Sequence, residues 1–257
     1  MVDLSGRTAL VTAGSRGIGR AICLKLAEAG ANVGINYQSN HHAAAEVAEQ
    51  VQAKGRRAGT YQFDVSDWMA CQTGVTTALS ELGRIDILIN NAGLGGSTIG
   101  HPSIANVTME QCHRLIGVNL WGAIHMCKLL VEQMREAERG DIIMISSTFA
   151  QLCAPNQGPY AISKAGMEAL AHTLAKEEYP YGTRVNIVAP GFVESDMGKA
   201  NLQRRPAIRD HVTAFGQLVQ PEDVANAVVF LCSAQAHLIT DQRLTVDGGE
   251  AARRPRA

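Results

Sequence analysis

Tyr160 and Lys164 stand four residues apart in the string YAISK. On a helix that spacing puts both side chains on one face, within reach of one small molecule. A free tyrosine has a pKa near ~10 and is a poor acid or base at neutral pH. An ammonium one turn away favours the phenolate. The pair therefore has the makings of a proton-transfer device at neutral pH. The same spacing also occurs on solvated helix faces, so the pair alone decides nothing.

The elements that would position such a pair are legible along the chain. Residues 159–178 read as a helix. Near the N-terminus TALVT, residues 8–12, is a short β-branched and apolar run that reads as a buried strand. It runs into AGSRGIG, residues 13–19, and then into an amphipathic helix, 20–29, stopped by Gly30. Strand, glycine-rich turn and helix together suit a dinucleotide: glycines admit the pyrophosphate to the backbone, and the helix N-terminus offers N–H groups and positive potential.

These signals, in this order, resemble the short-chain dehydrogenase/reductase family from Leu4 to Gly249. Its TGxxxGxG pattern is met at Thr12, Gly14, Gly17 and Gly19, with Ala13 standing where the family has its first glycine. Further matches are Asp64-Val65, NNAG at 90–93, Asn119 in GVNLWG, ISS at 145–147, YxxxK, Pro190-Gly191, PEDVA at 221–225 and VDGG at 246–249. The resemblance implies roles for residues. Ser147, thirteen positions before the tyrosine, would hold the substrate oxygen. Tyr160 would exchange the proton. Lys164 would lower the tyrosine pKa and bond the nicotinamide ribose, and Asn119 would hold a water joining Lys164 to solvent. The cofactor would lie along Thr12, Gly14, Ser15, Arg16, Gly17, Ile18 and Gly19, with Asp64 and Val65 near the adenine. Asn91, Ala92, Gly93, Pro190, Gly191, Val193 and Ser195 would line the rest of its path. Phe149, Gln157 and Phe192, with Leu94, Thr148 and Gln151, are candidate walls for the substrate, together with Ser147 and Tyr160.

Cofactor choice turns on the end of the second strand. NAD-binding sites place an acid roughly 20 residues beyond the glycines, on the ribose 2′-hydroxyl. Here the stretch is Asn36, Tyr37, Gln38, Ser39, Asn40, and the next acid is Glu46. No carboxylate would repel a 2′-phosphate, and Arg16 could pair with one. We expect NADP(H) to be preferred over NAD(H), with Asn36, Tyr37 and Ser39 at that end of the cofactor. The other reading of Arg16 is a solvated turn residue with loose cofactor choice.

Strand-like segments at 32–36, 59–64, 85–90, 141–145, 184–189 and 243–246 alternate with helix-like segments at 42–54, 68–82, 109–134, 160–178 and 221–232. Alternation implies a parallel sheet with helices on both faces. We expect an α/β, three-layer, doubly wound Rossmann fold of about seven strands, with residues 1–257 as one domain. Residues 191–216 break the rhythm and read as a substrate lid. The tail 250–257 carries three arginines and a proline and reads as flexible.

Composition narrows the function. The net charge of −1 argues against a nucleic-acid binder. No apolar run approaches the roughly 20 residues of a membrane span. With no export signal, the six scattered cysteines read as reduced thiols in a cytoplasmic protein. The eight histidines show no ligand spacing, so no metal is expected; His41-His42 reads as a loop or a helix start.

The expected activity is reversible hydride transfer between NADP(H) and a ketone or secondary alcohol of a small molecule. The alternative within that chemistry is a 3-oxoacyl-(acyl-carrier-protein) reductase, the branch this chain most resembles. Against it, Glu138 and Tyr181 stand where carrier-dependent members have basic residues, although Arg139 and Arg184 lie nearby. A non-catalytic NADP-binding sensor is a third reading, opposed by the intact set of Asn119, Ser147, Tyr160 and Lys164. Resemblance also implies a homotetramer built on the helices at 109–134 and 160–178.

Overall fold

The computed structural model describes residues 2–195, 198 and 213–249. Seven strands form one parallel sheet in the order β3-β2-β1-β4-β5-β6-β7. They are β1 (Thr8–Val11), β2 (Asn32–Tyr37), β3 (Ala58–Gln62), β4 (Ile87–Asn90), β5 (Gly140–Ile145), β6 (Thr183–Pro190) and β7 (Arg243–Val246). The helices are α1 (Gly17–Glu28), α2 (His41–Gln52), α3 (Trp68–Leu82), α4 (Met109–Ile116), α5 (Gly122–Glu136), α6 (Phe149–Leu152), α7 (Gly158–Glu178) and α8 (Pro221–Leu231).

Side chains alternate across the pleat and feed two apolar layers. Ala9, Val11, Ile87, Ile89, Ile143 and Ile145 pack on one face with Ile22 and Leu26 of α1, Val47 and Val51 of α2, and Val224 and Val228 of α8. Leu10, Leu88, Ile142 and Met144 pack on the other with Val75 of α3, Met126 and Leu130 of α5, and Met167 and Ala171 of α7. Each fully buried aliphatic chain is worth about 1.5–3 kcal/mol of transfer free energy, so both faces are needed and the sheet is rigid beneath the site. The order reverses between β1 and β4, the switch point where such sheets bind ligands above their carboxyl ends.

Several boundaries move, for identifiable reasons. Asp64 falls outside β3 because its carboxylate turns the chain, accepting from the Ser66 amide at 2.8 Å and the Ser66 hydroxyl at 2.7 Å. Residues 85–86 precede β4, and Asp86 there accepts the Thr8 amide at 2.9 Å. His41 begins α2, capped by Asn40, whose side chain accepts from the Ala43 amide. The helix expected over 109–134 is two helices joined by a π turn, Gly117–Trp121. The stretch Met109–Glu136 is long and apolar enough to cross a membrane by length and composition, contrary to the sequence expectation. Its Leu115, Met126, Leu130 and Met134 are buried in the fold. Most of the expected lid, 196–197 and 199–212, and the tail 250–257 lie outside the described residues.

Candidate active site

A cleft opens above the carboxyl ends of β1, β4, β5 and β6. One end is the glycine turn, lined by Ala13, Arg16, Gly17, Ile18 and Gly19. The middle carries Asn91, Gly93, Lys164, Pro190, Gly191, Val193 and Ser195. The other end holds Ser147, Phe149, Gln157, Tyr160 and Phe192. The cleft thus gathers residues from five regions of the sequence that were read separately.

Local sequence explains the turn. Gly17 has φ of 53° and starts α1. Arg16 caps the helix without a side-chain bond, and the first turn has no acid. The uncapped amides therefore face the cleft as an anion site. A Cβ on Gly17 would meet only Ser195 Cβ, at 3.5 Å, so this glycine keeps room along the cleft. Gly19 serves packing: a Cβ there would lie 2.2 Å from the Ala13 carbonyl oxygen and 2.6 Å from Asn91 Nδ2. Ala13, which replaces the first family glycine, sits at φ of 50°. A left-handed alanine costs roughly 1 kcal/mol, so the turn keeps a glycine conformation without a glycine.

Several residues expected at the cofactor act behind it. Thr12 is a strut whose hydroxyl accepts the Asn91 and Ala92 amides, both at 2.9 Å, and donates to the Ile89 carbonyl. Asn91 Nδ2 donates back to the Thr12 and Ala13 carbonyls. Asn36 is 2% exposed. Its Oδ1 accepts the Ala13 amide at 3.1 Å, and its Nδ2 donates to the Tyr61 and Phe63 carbonyls. Its amide is consumed in joining β2, β3 and the turn, behind the cleft rather than in its lining. Tyr37 is also buried, its hydroxyl 2.8 Å from His41 Nδ1. Gly14, Ser15 and Val65 are buried and outside the cleft lining; Ser39 is exposed. Asp64 accepts from Gln38 Nε2 at 2.7 Å. Of the residues expected at the 2′-phosphate, Arg16 alone is exposed in the cleft.

The chemistry lies where β5 ends against α7. Pro159 in the first turn suits the start of this helix, and Tyr160 and Lys164 follow on the face turned to β5. The Ser147 hydroxyl hydrogen-bonds the Tyr160 side chain and lowers the phenol pKa, but burial outweighs it and pushes the phenol above its ordinary value. Lys164 is buried, and burial pulls its ammonium down to about 8, opposed by the Glu168 carboxylate. Lys164 Nζ donates to the Ile145 carbonyl at 2.7 Å. The ammonium is thus anchored at the end of β5, one turn of α7 from the phenol.

Asn119 is fully buried in the π turn. Its Oδ1 accepts the Leu94 amide at 2.7 Å, and its Nδ2 donates to the Leu94 carbonyl and the Ser163 hydroxyl, both at 3.0 Å. The widened turn, a common device at functional sites, replaces the mid-helix position the sequence suggested. A Cβ on Gly93 would lie 3.4 Å from Lys164 Nζ and 3.5 Å from Asn119 Oδ1, so these two groups flank the same bare backbone.

At the far end, Gln157 Nε2 lies 2.8 Å from His101 Nδ1, and both sit over Gly96, where a Cβ would meet Gln157 Oε1 at 2.2 Å. His101, Gly95, Gly96, Ile145, Ser146 and Gly198 join the lining without having been anticipated. The glycine pair after NNAG was a visible cue; His101 carried none, because its φ of 53° and its contact come from the loop's fold. Thr148 and Gln151 are not in the lining. Among the described residues, no group of three or more His, Cys, Asp or Glu converges as a metal site.

An open parallel sheet, a glycine turn at its switch point, and a Ser-Tyr-Lys group along the same cleft define a dinucleotide-dependent oxidoreductase. Residues 12–250 match the sequence model of a family described as enoyl-(acyl carrier protein) reductase. The chain is 36% identical to acetoacetyl-CoA reductase of Rhizobium meliloti (strain 1021), covering 95% of this chain and 98% of that one. It is 35% identical to a 3-oxoacyl-(acyl-carrier-protein) reductase of Staphylococcus aureus (strain Mu50), covering 95% and 97%. Among solved structures, a gluconate 5-dehydrogenase from Burkholderia cenocepacia J2315, in complex with NADP and tartrate, superposes with a TM-score of 0.91 at 31% identity, covering 98% of each chain. The chain belongs to the short-chain dehydrogenase/reductase family. It is an oxidoreductase of CH–OH and keto groups that uses a nicotinamide dinucleotide.

Proposed function

We propose that this chain is an NADP(H)-preferring reductase of a small-molecule ketone, with Ser147, Tyr160 and Lys164 acting at the carbonyl. The observation that carries this reading is the meeting of the Ser147 hydroxyl and the Tyr160 phenol at one end of a cleft whose other end is the glycine turn. When bound, the nicotinamide supplies the hydride. The uncapped start of α1, Gly17 and Gly93 fit its phosphates and ribose, being positions where backbone is bare toward the cleft. Ser147 holds the substrate oxygen, and Tyr160, kept protonated by burial, delivers the proton to it. Lys164 would hold the nicotinamide ribose and places a positive charge one turn from the phenol, and Asn119 fixes the loop at Leu94. Arg16, exposed at the turn with no acid at the end of β2, supports a 2′-phosphate over a free hydroxyl.

We read residues 1–257 as one domain, and the protein as a homotetramer; exposed Trp121 and Ile162, beside α5 and on α7, support a covered face there. Carrier-protein use is the second reading, favoured by the Staphylococcus aureus relative. Arg184 does not serve it: its guanidinium is held by Asp141 at 2.6 Å and by the Ala236 and Ile239 carbonyls. The Arg135 guanidinium lies over the Tyr181 ring, its Cζ 4.8 Å from the ring centre.

The test is Tyr160→Phe. Turnover with NADPH and a ketone panel should fall about 10²–10⁴-fold while NADPH binding, read by fluorescence, persists. Full turnover would refute the assignment. NADPH oxidation with a β-ketoacyl group offered as a free short thioester and on acyl-carrier protein separates the two substrate readings. A large preference for the carrier form would overturn the small-molecule one.

A further inference from the structure

The strand end that carries Ser147 is tied down at three consecutive residues. The Ile145 carbonyl accepts from Lys164 Nζ at 2.7 Å. The Ser146 hydroxyl donates to Glu168 Oε1 at 2.7 Å. The Ser147 carbonyl accepts from Arg243 Nη2 at 3.3 Å. Glu168 lies one turn beyond Lys164 on α7 and is 7% exposed. Its Oε1 also accepts from Arg243 Nε at 2.9 Å. Arg243 opens β7, where its Nη1 donates to the Thr245 hydroxyl at 2.7 Å.

A carboxylate and a guanidinium this far from water are costly to bury and give weak net stability against an apolar pair of the same size. Apart from the bond to Thr245, however, their bonds to other residues run to Ser146 and Ser147, at the reacting group. We propose that Glu168 and Arg243 are positioning residues for the reaction: they fix Ser146 and Ser147 so that the Ser147 hydroxyl meets Tyr160, and they set the charge that Lys164 experiences. This rests on the roles given above to Ser147, Tyr160 and Lys164.

The charges around Lys164 give the inference a signature. Glu168 is the carboxylate that opposes burial there, and it is paired with Arg243 at 2.9 Å, a cation whose removal leaves the full negative charge facing Lys164. Tyr160 is the other titratable group on this part of α7. From the elements packed on α7 come Asp141 and Arg184 of β5 and β6, paired at 2.6 Å, and Arg135 of α5, paired with Glu178 at 2.6 Å. His113 and Arg114 of α4 are exposed. Burial raises Tyr160 and lowers Lys164, and the two groups, one helical turn apart, titrate as a pair. The loss of activity on the basic side therefore reports the Tyr160–Lys164 pair.

The experiment is the pH profile of kcat/KM for NADPH, at a saturating ketone, in Glu168→Gln, Arg243→Met and the double variant, with thermal unfolding of each. Glu168→Gln keeps the shape and an acceptor for Ser146 but leaves Arg243 uncompensated. Its basic limb should move to lower pH by roughly half a unit or more. Arg243→Met leaves Glu168 uncompensated, and its limb should move to higher pH. The double variant should return toward the parent. Lower turnover and melting temperature with an unmoved limb, or shifts of the same sign, would reduce the pair to a structural role and overturn the inference. If Arg243→Met does not fold, Glu168→Asp decides: it keeps the charge, so its limb should not move, whereas that of Glu168→Gln should, and equal shifts in both would refute the proposal. A Tyr160→Phe enzyme with full activity would bring down the underlying assignment instead, whatever the limbs do.

Discussion

Replacing Asn36 by alanine separates a structural clamp from a cofactor ligand. The side chain makes three hydrogen bonds, a part-buried one to the Ala13 amide at 3.1 Å and buried ones to the Tyr61 and Phe63 carbonyls at 3.3 and 3.0 Å. At about 1 kcal/mol each, with three backbone groups left unpaired, the loss is about 3 kcal/mol or more. For a chain of this size that corresponds to a fall in Tm of about 6–12 °C. The assay is thermal unfolding followed by circular dichroism, without cofactor and with saturating NADPH. The cofactor-free Tm should show the full drop. NADPH should recover part of it by mass action, since it binds only the folded turn. KM for NADPH should rise, because the Ala13 amide that shapes the turn has lost its anchor. A cofactor-free Tm within about 2 °C of the parent, together with a large rise in KM, would refute the reasoning and return Asn36 to direct cofactor contact.

Three further outcomes are expected. Arg16→Glu should raise the KM for NADPH at least about tenfold, roughly 1.4 kcal/mol, and leave the KM for NADH nearly unchanged; equal effects on both would remove Arg16 from 2′-phosphate recognition. Ala13→Gly relieves a left-handed alanine but adds backbone entropy to the unfolded chain, so Tm measured by calorimetry should stay within about 3 °C of the parent or rise. A larger fall would mean the methyl group packs usefully. Gly96→Ala puts a methyl group on Gln157 and His101, so kcat/KM for the ketone should fall about tenfold or more, the cost of a small misplacement at a reacting site, with NADPH affinity retained. Titration of NADPH by fluorescence would expose the error if cofactor binding fell in step.

The sequence by itself determined the alternation that builds a parallel sheet, the glycine turn after β1, and the spacing of Ser147, Tyr160 and Lys164. These are local: a strand's period, a glycine's freedom and a helix turn act over a few residues, so their pattern survives in one dimension. Tertiary structure decided the rest. Asn36 and Thr12 look like cofactor residues in sequence, but their side chains are spent on carbonyls and amides of neighbouring strands. Asn119 falls inside the helix expected over 109–134; only the π turn and the loop at Leu94 explain what its amide does. The contacts of the Ser147 hydroxyl with Tyr160 and of the Lys164 ammonium with the Ile145 carbonyl come from the packing of α7 against β5. Likewise the pairing of Glu168 with Arg243, separated by 75 positions, has no signature in the sequence. Long-range pairing and desolvation depend on which surfaces the sheet brings together, and a linear chain carries no local trace of that.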